Sequence, residues 1–421
     1  MNKKVAYPQS RFHYGWVMLA LSTLVVFSAL GLARFGYTVV LPSMQSSLGL
    51  DNTQAGALAT ANLVGYLVLS LVGGALAARF GPRIVIAAGL ILAGAGMLLT
   101  GFVTGFLPAA LWRGLTGIGS GASNVPVMGL LMAWFATKRR GLASGIAATG
   151  SSIALILVGP LVPRILGIYG VDGWRASWMI FGGITLVVAF LALAFLRNHP
   201  DEKNVGLLGA KEGEDRPESK SSPVEWGRVY RAKPVWHLGF VYIAFGFSYI
   251  IYLTFFTKRL IAEGGYTQVG AGNLFMTMGW FSLLCGLIWG SVSDWIGRSG
   301  ALTLVYLLQA VAFGLFGLAS ASSTFTLSAI LFGLTAWSIP AIMAAACGDV
   351  LGARMAPAAL GFITLFFGIG QAIGPSVAGA MADASGSFTG AYLLASGVAL
   401  AGAVGSLLLR RSAAPEVVSN V

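Results

Sequence analysis

Charge is scarce in this chain of 421 residues: Asp, Glu, Lys and Arg make up 10%, where a soluble domain carries about 25%. There are 14 acidic side chains, two cysteines and three histidines. Each shortage excludes something. Cys285 and Cys347 fall in non-equivalent apolar runs, so they form neither a disulfide framework nor a metal site. With His13, His199 and His237 all near one predicted surface, no histidine is placed to relay protons through an apolar layer. No metal-ligand cluster or nucleophile–base pair is present, so an enzyme is not expected.

What the chain has is apolar length. At 57% hydrophobic residues it reads as a bilayer protein, in which runs of about 20 residues form helices that satisfy their own backbone hydrogen bonds. Twelve runs are expected, near 14–42, 54–78, 83–104, 107–135, 141–168, 174–196, 235–257, 268–292, 300–320, 324–350, 356–382 and 388–409. The first follows Lys3, Lys4 and Arg11 but is too long for a secretory signal, and is read as a retained helix. A cytoplasmic N-terminus puts 20 of the 26 basic residues on the inner side, against Lys258 and Arg259 outside. The positive-inside rule therefore places both termini in the cytoplasm. This topology accounts for the net charge of +12, and nucleic acid has no part in it.

The chain also repeats itself. Gly74-Ala75-Leu76-Ala77-Ala78-Arg79-Phe80-Gly81-Pro82-Arg83 returns as Gly290-Ser291-Val292-Ser293-Asp294-Trp295-Ile296-Gly297-Arg298, and each copy lies between two apolar runs. Thr53-Gln54-Ala55-Gly56-Ala57 returns as Thr267-Gln268-Val269-Gly270-Ala271, Gly159-Pro160 as Gly374-Pro375, and Gly145 as Gly361. Matches in the same order at nearly one offset mean duplication, and the offset is half the chain. The expected organisation is a six-helix bundle over 1–197, a cytoplasmic linker over 198–233 and a second bundle over 234–421. Seven of the 14 acids lie in that linker, which reads as a solvated tether.

Twelve helices, two six-helix halves, a long central loop and the repeated glycine-basic turn resemble the major facilitator superfamily over essentially the whole chain. The turn is similar to the family signature G-x-L-a-D-r-x-G-r-k between helices two and three. Arg113-Gly114-Leu115-Thr116-Gly117-Ile118-Gly119 resembles the R-x-x-q-G-x-g motif of helix four, and Gly173-Trp174-Arg175 precedes helix six. The resemblance implies an all-α membrane protein and a secondary transporter working by alternating access. It also implies gating roles for Arg79, Arg83, Arg113, Asp294 and Arg298. The first turn has Ala78 where the family places an acid, so any cytoplasmic latch rests on Asp294. That acid either faces the start of helix five near Gly141 or simply stabilises its loop.

The cargo is read from Arg34. It precedes Pro42, taken as the end of helix one, by eight residues, about 12 Å of helix. No acid falls at mid-membrane in this topology, and a buried Arg costs at least about 2.5 kcal/mol there. The natural counter-ion is therefore a substrate carboxylate or phosphate, which a guanidinium fork matches; the alternative is that Arg34 snorkels outward. Arg113, nearer the outer end of helix four, is within reach of Asp172. Tyr37, Asn62, Tyr66, Asn124, Tyr249, Tyr252, Trp337 and Gln371 are the mid-depth candidates for a substrate pocket, and for each, interhelical packing is an equal reading. Gly159-Pro160, Gly374-Pro375, Pro126 and Pro340 are expected either to let helices bend as the halves move or to serve as packing devices, since Gly and Pro are frequent in membrane helices.

The start Phe12-His13-Tyr14-Gly15-Trp16 is similar to monocarboxylate and oxalate-formate type carriers, although helix eight lacks the Arg that monocarboxylate porters often carry. The expected function is transport of a small organic anion across the cell inner (plasma) membrane by a monomer. No cofactor is expected beyond a possible coupling proton, the other option being anion exchange. The alternatives are a multidrug or metabolite efflux antiporter of the same fold and, more remotely, a membrane sensor.

Overall fold

The computed structural model describes residues 13–210, 226–352 and 355–412. Twelve long helical stretches run through them. They are α1 (Gly15–Leu48), α2 (Asn52–Phe80), α3 (Pro82–Thr100), α4 (Phe106–Trp134), α5 (Thr137–Tyr169), α6 (Gly173–Phe195), α7 (Lys233–Ala262), α8 (Gln268–Ile296), α9 (Arg298–Leu318), α10 (Ser322–Leu351), α11 (Ala356–Ser385) and α12 (Thr389–Ser412). The twelve apolar runs match these helices one for one. Among the described residues the only extended pairing outside them is a single bridge between Phe135 and Leu208.

Two boundaries differ from expectation. Pro42 does not end α1. It lies inside the helix, which continues to Leu48 and stops at Gly49 with φ 63°. A left-handed glycine is the ordinary helix stop, whereas a proline inside a membrane helix is tolerated when neighbours satisfy the freed carbonyl. Arg34 is therefore fourteen residues from the end of α1, about 21 Å rather than 12 Å. The second difference is in α10, which breaks between Thr335 and Ser338, just ahead of Pro340. At the break the Trp337 N–H bonds the sulfur of Cys285 at 3.2 Å.

The repeated turn forms as its glycines require. Gly81 has φ 86° and Gly297 φ 81°, a region that glycine enters without the cost of a Cβ. Each glycine ends one helix and starts the next within a single residue.

The chain divides into two compact units. Unit 1 comprises 1–50, 57–222 and 267–279; unit 2 comprises 51–56, 223–266 and 280–421. In unit 1, α3 packs along α4 and α6. In unit 2, α7 packs on α11 and α12, and α12 on α9. Each unit takes in the start of a helix from the other half of the sequence. In unit 2, Gly56 abuts the Pro375 carbonyl, and Asp383 accepts from the N–H groups of Asn52 (3.0 Å) and Thr53 (2.7 Å). In unit 1, Gly272 abuts the Gly159 carbonyl, and Gln268 donates to the Val39 carbonyl at 3.0 Å.

The tether expected over 198–233 is not loose throughout. Leu208 exchanges backbone hydrogen bonds with Trp134 (2.9 Å) and Ala136 (3.2 Å) at the end of α4. His13 donates from Nε2 to the Gly206 carbonyl at 3.1 Å while its Nδ1 accepts the Gly15 N–H. Burial pushes the His13 pKa down, against a smaller upward pull from the Gly206 bond. Residues 198–210 are thus a strap on unit 1, made of backbone pairing that the polar composition does not reveal.

Each unit also ties a helix end with an arginine. In unit 1, Arg175 donates to the carbonyls of Gly101 (3.0 Å) and Val103 (2.7 Å) beyond α3. In unit 2, Arg259 donates to Phe316 (3.0 Å) and Gly317 (2.5 Å) at the end of α9 and pairs with Glu263 at 2.5 Å. Arg259, one of the two basic residues expected on the outer side, is buried.

Candidate functional site

Arg34 stands in a nine-residue π-helical segment, Phe27–Phe35, set inside α1. The Gly36 N–H closes the segment on the Gly31 carbonyl, five residues back. A π turn holds one residue more than an α turn, and such insertions are common at functional sites. Every side chain beyond the inserted residue is turned by about 100° from the α phase.

This segment brings Arg34 to α2, with its guanidinium carbon 4.5 Å from the Tyr66 ring centroid. The Tyr66 hydroxyl accepts from Asn124 Nδ2 of α4 at 2.9 Å. Asn124 Oδ1 is buried with no hydrogen-bond partner among the described residues. Arg34, Tyr66 and Asn124 each keep part of their surface exposed. Together they present a cation, a hydroxyl proton and an open acceptor.

Arg113 is built differently, being 1% exposed. Its Nη1 donates to the Ala33 carbonyl at 2.6 Å. Its guanidinium carbon is 4.7 Å from the Tyr37 ring centroid and 4.9 Å from that of Trp178. Those two rings stack on each other at 6.4 Å. Asn62 donates to the Arg113 backbone carbonyl at 3.1 Å, tying α2 to α4. The expected reach to Asp172 is not made; that acid pairs with Arg175 at 3.3 Å. Trp178 did not figure in the sequence reading, although Trp174 and Trp178, four residues apart, share a face of α6.

The candidates in unit 2 form aromatic packing. Tyr249 stacks on Phe245 at 4.6 Å and accepts a short hydrogen bond from Gln371 of α11. Tyr252 is fully buried, its hydroxyl 2.8 Å from Ser328 and its ring among Phe313, Phe316, Phe332 and Tyr392. Trp337 is half-buried at the break in α10.

The two turns hold their arginines by different means. Arg83 donates from Nε to the Leu193 carbonyl (2.7 Å) and from its backbone to Asn198 (2.9 Å). Arg298 pairs with Asp294 (2.6 Å) and Asp349 (3.1 Å) and bonds Ser293. Arg79 is exposed beside Phe80. No group of three potential metal ligands occurs among the described residues.

Comparison with known proteins agrees with this architecture. The chain is 26% identical over 404 residues to the probable sulfoacetate transporter of Cupriavidus necator, covering 89% of each. It is 27% identical to the hexuronate transporter of Bacillus subtilis, covering 88% of each. It is 29% identical to rat monocarboxylate transporter 3, covering 92% of this chain and 78% of that one. Among solved structures, the nucleoside transporter NupG superposes with a TM-score of 0.73 at 12% identity, covering 95% of this chain and all of that one. A bacterial homolog of the human lysosomal transporter Spinster superposes at 0.70 and 18% identity, with 95% and 96% covered. The Major Facilitator Superfamily profile matches residues 23–270 and 259–420. The chain therefore belongs to the Major Facilitator Superfamily and is a multi-pass membrane transporter, not an enzyme.

Proposed function

We propose that the cargo is a small organic anion, bound through its carboxylate by Arg34 and moved by alternating access. The observation that carries this reading is the cluster in unit 1. Arg113 holds the carbonyl of the residue just before Arg34, and both stand among tyrosines and amides deep in apolar helices. Two guanidiniums in such surroundings make a field that favours an anion. Several similar proteins are named for organic acids: sulfoacetate, hexuronate, tartrate and monocarboxylates.

The test is a thermal-shift panel on purified protein with acetate, tartrate, sulfoacetate and glucuronate beside neutral sugars and cationic amines. Only anions should raise the melting temperature. Arg34→Gln should weaken the best of them by roughly 10- to 100-fold, the worth of charged hydrogen bonds at about 1.5–3 kcal/mol. Stabilisation by neutral or cationic compounds alone, or an Arg34→Gln protein with unchanged affinity, would refute the assignment.

The same reading places the protein in the cell inner membrane as a monomer with both termini cytoplasmic, in keeping with its basic-residue distribution. The acids among the described residues lie in connections or close to helix ends. Coupling then runs through a proton carried with the substrate carboxylate or through exchange of one anion for another. Collapse of uptake with a protonophore marks the first, and stimulation by internal anion the second.

A further inference from the structure

Arg113 occupies the costliest position for a cation in unit 1, and its contacts say what it does there. One donor goes to the Ala33 carbonyl at 2.6 Å. The face of the guanidinium lies within 5 Å of two stacked rings, where cation–π attraction offsets desolvation. Its Nε–H has no oxygen acceptor among the described residues, so the rings supply the rest of the compensation. At 1% exposure, Arg113 offers an anion no open approach.

The carbonyl it holds belongs to the residue immediately before Arg34, inside the π-helical segment. A π turn is a rare conformation that persists only where its surroundings maintain it. Relaxed to α, the segment would turn position 34 by about 100° relative to the helix that precedes it. Arg113 is itself fixed from behind, because Asn62 bonds its backbone carbonyl at 3.1 Å.

We propose that Arg113 is a positioning residue: by holding the Ala33 carbonyl it maintains the π-helical turn that aims Arg34 at Tyr66 and at the substrate. This rests on the reading of Arg34 as the anion anchor. The charge at Arg113 serves the substrate indirectly, through the backbone of its neighbour.

Two measurements test it on the full-length protein. The first is a double-mutant cycle read as anion affinity in the same thermal-shift panel. Arg113→Gln should weaken binding at least tenfold, and Arg34→Gln/Arg113→Gln should be no weaker than Arg34→Gln alone. Multiplying effects would put Arg113 on the anion itself and overturn the proposal, as would an Arg113→Gln protein that binds normally. Arg113→Lys is the second variant should Arg113→Gln not fold; it keeps the charge but not the planar stacking, and should lose several-fold in affinity.

The second measurement needs no anion. A thiol introduced by Arg34→Cys is labelled with neutral methyl methanethiosulfonate, with Arg113 intact or replaced by Gln or Lys; the native Cys285 and Cys347 are buried. The labelling rate should change at least fivefold when the clamp is lost. A rate unchanged within twofold overturns the clamp. If Arg34→Gln leaves anion affinity intact, the anion reading falls, and the clamp stands or falls on labelling alone.

Discussion

The two units came from one repeated sequence, yet they spend their polar chemistry in different places. Unit 1 carries two guanidiniums deep within its helices, among Tyr37, Tyr66 and Trp178. In unit 2 the mid-helix candidates are packed aromatics, with Tyr249 on Phe245 and Tyr252 inside a cage of rings. Its buried cation, Arg259, is instead fully used at a helix end, on two carbonyls and Glu263. Duplication kept the fold, while the buried guanidiniums among tyrosines stand in one copy.

The largest effect should come from the stability side of this contrast. Arg259→Ala leaves the buried Phe316 and Gly317 carbonyls without their donor, while Glu263 keeps Ser387 and the Phe388 N–H; it should cost about 1–3 kcal/mol per carbonyl, seen as a lower melting temperature or loss of folded protein. If it melts like wild type, Arg259 is not the tie described here, and unit 2 has a cation to spare. Next comes function. Gln371→Leu removes the hydrogen bond to Tyr249 and should change anion affinity by no more than about threefold, against the far larger loss for Arg34→Gln. An equal loss from both variants would erase the division of labour between the units.

Smaller effects are expected at the turns. Asp294→Asn breaks an exposed pair with Arg298, worth about 0–1 kcal/mol, and Asp349 still holds that arginine. Near-normal uptake and melting are expected; a strong defect would make Asp294 a latch and not a loop anchor. The smallest effect is at His13. Its pKa is lowered in the folded protein, so its contribution is present above the ordinary histidine range and is lost as pH falls through it. Acidification should therefore raise the rate of limited proteolysis within residues 198–210, and His13→Gln should abolish that pH dependence.

Much of the fold was legible because it rests on length and repetition. Apolar runs of spanning length and a Gly-bounded basic word at half-chain spacing admit few architectures. Arg34 stands out in the sequence as a candidate because a cation there conflicts with its solvent. The π-helical segment was not legible, since nine apolar residues carry no mark that separates an i+5 register from an i+4 one. Pro42 misled because proline stops helices in water, and the true stop, Gly49, lay seven residues beyond it. Tyr252 leaves its two readings open in the sequence because a mid-depth tyrosine looks the same whether it lines a pocket or, as here, bonds Ser328 inside a core. Arg259 and Glu263, four apart on one helix, announce their pairing by spacing alone.

The borrowed helix starts have a consequence for cutting the chain. Unit 1 includes residues 267–279 and unit 2 includes 51–56, so a cut in the linker leaves each piece short of a segment of its own packing. Either half expressed alone should therefore melt below the same half in the intact chain.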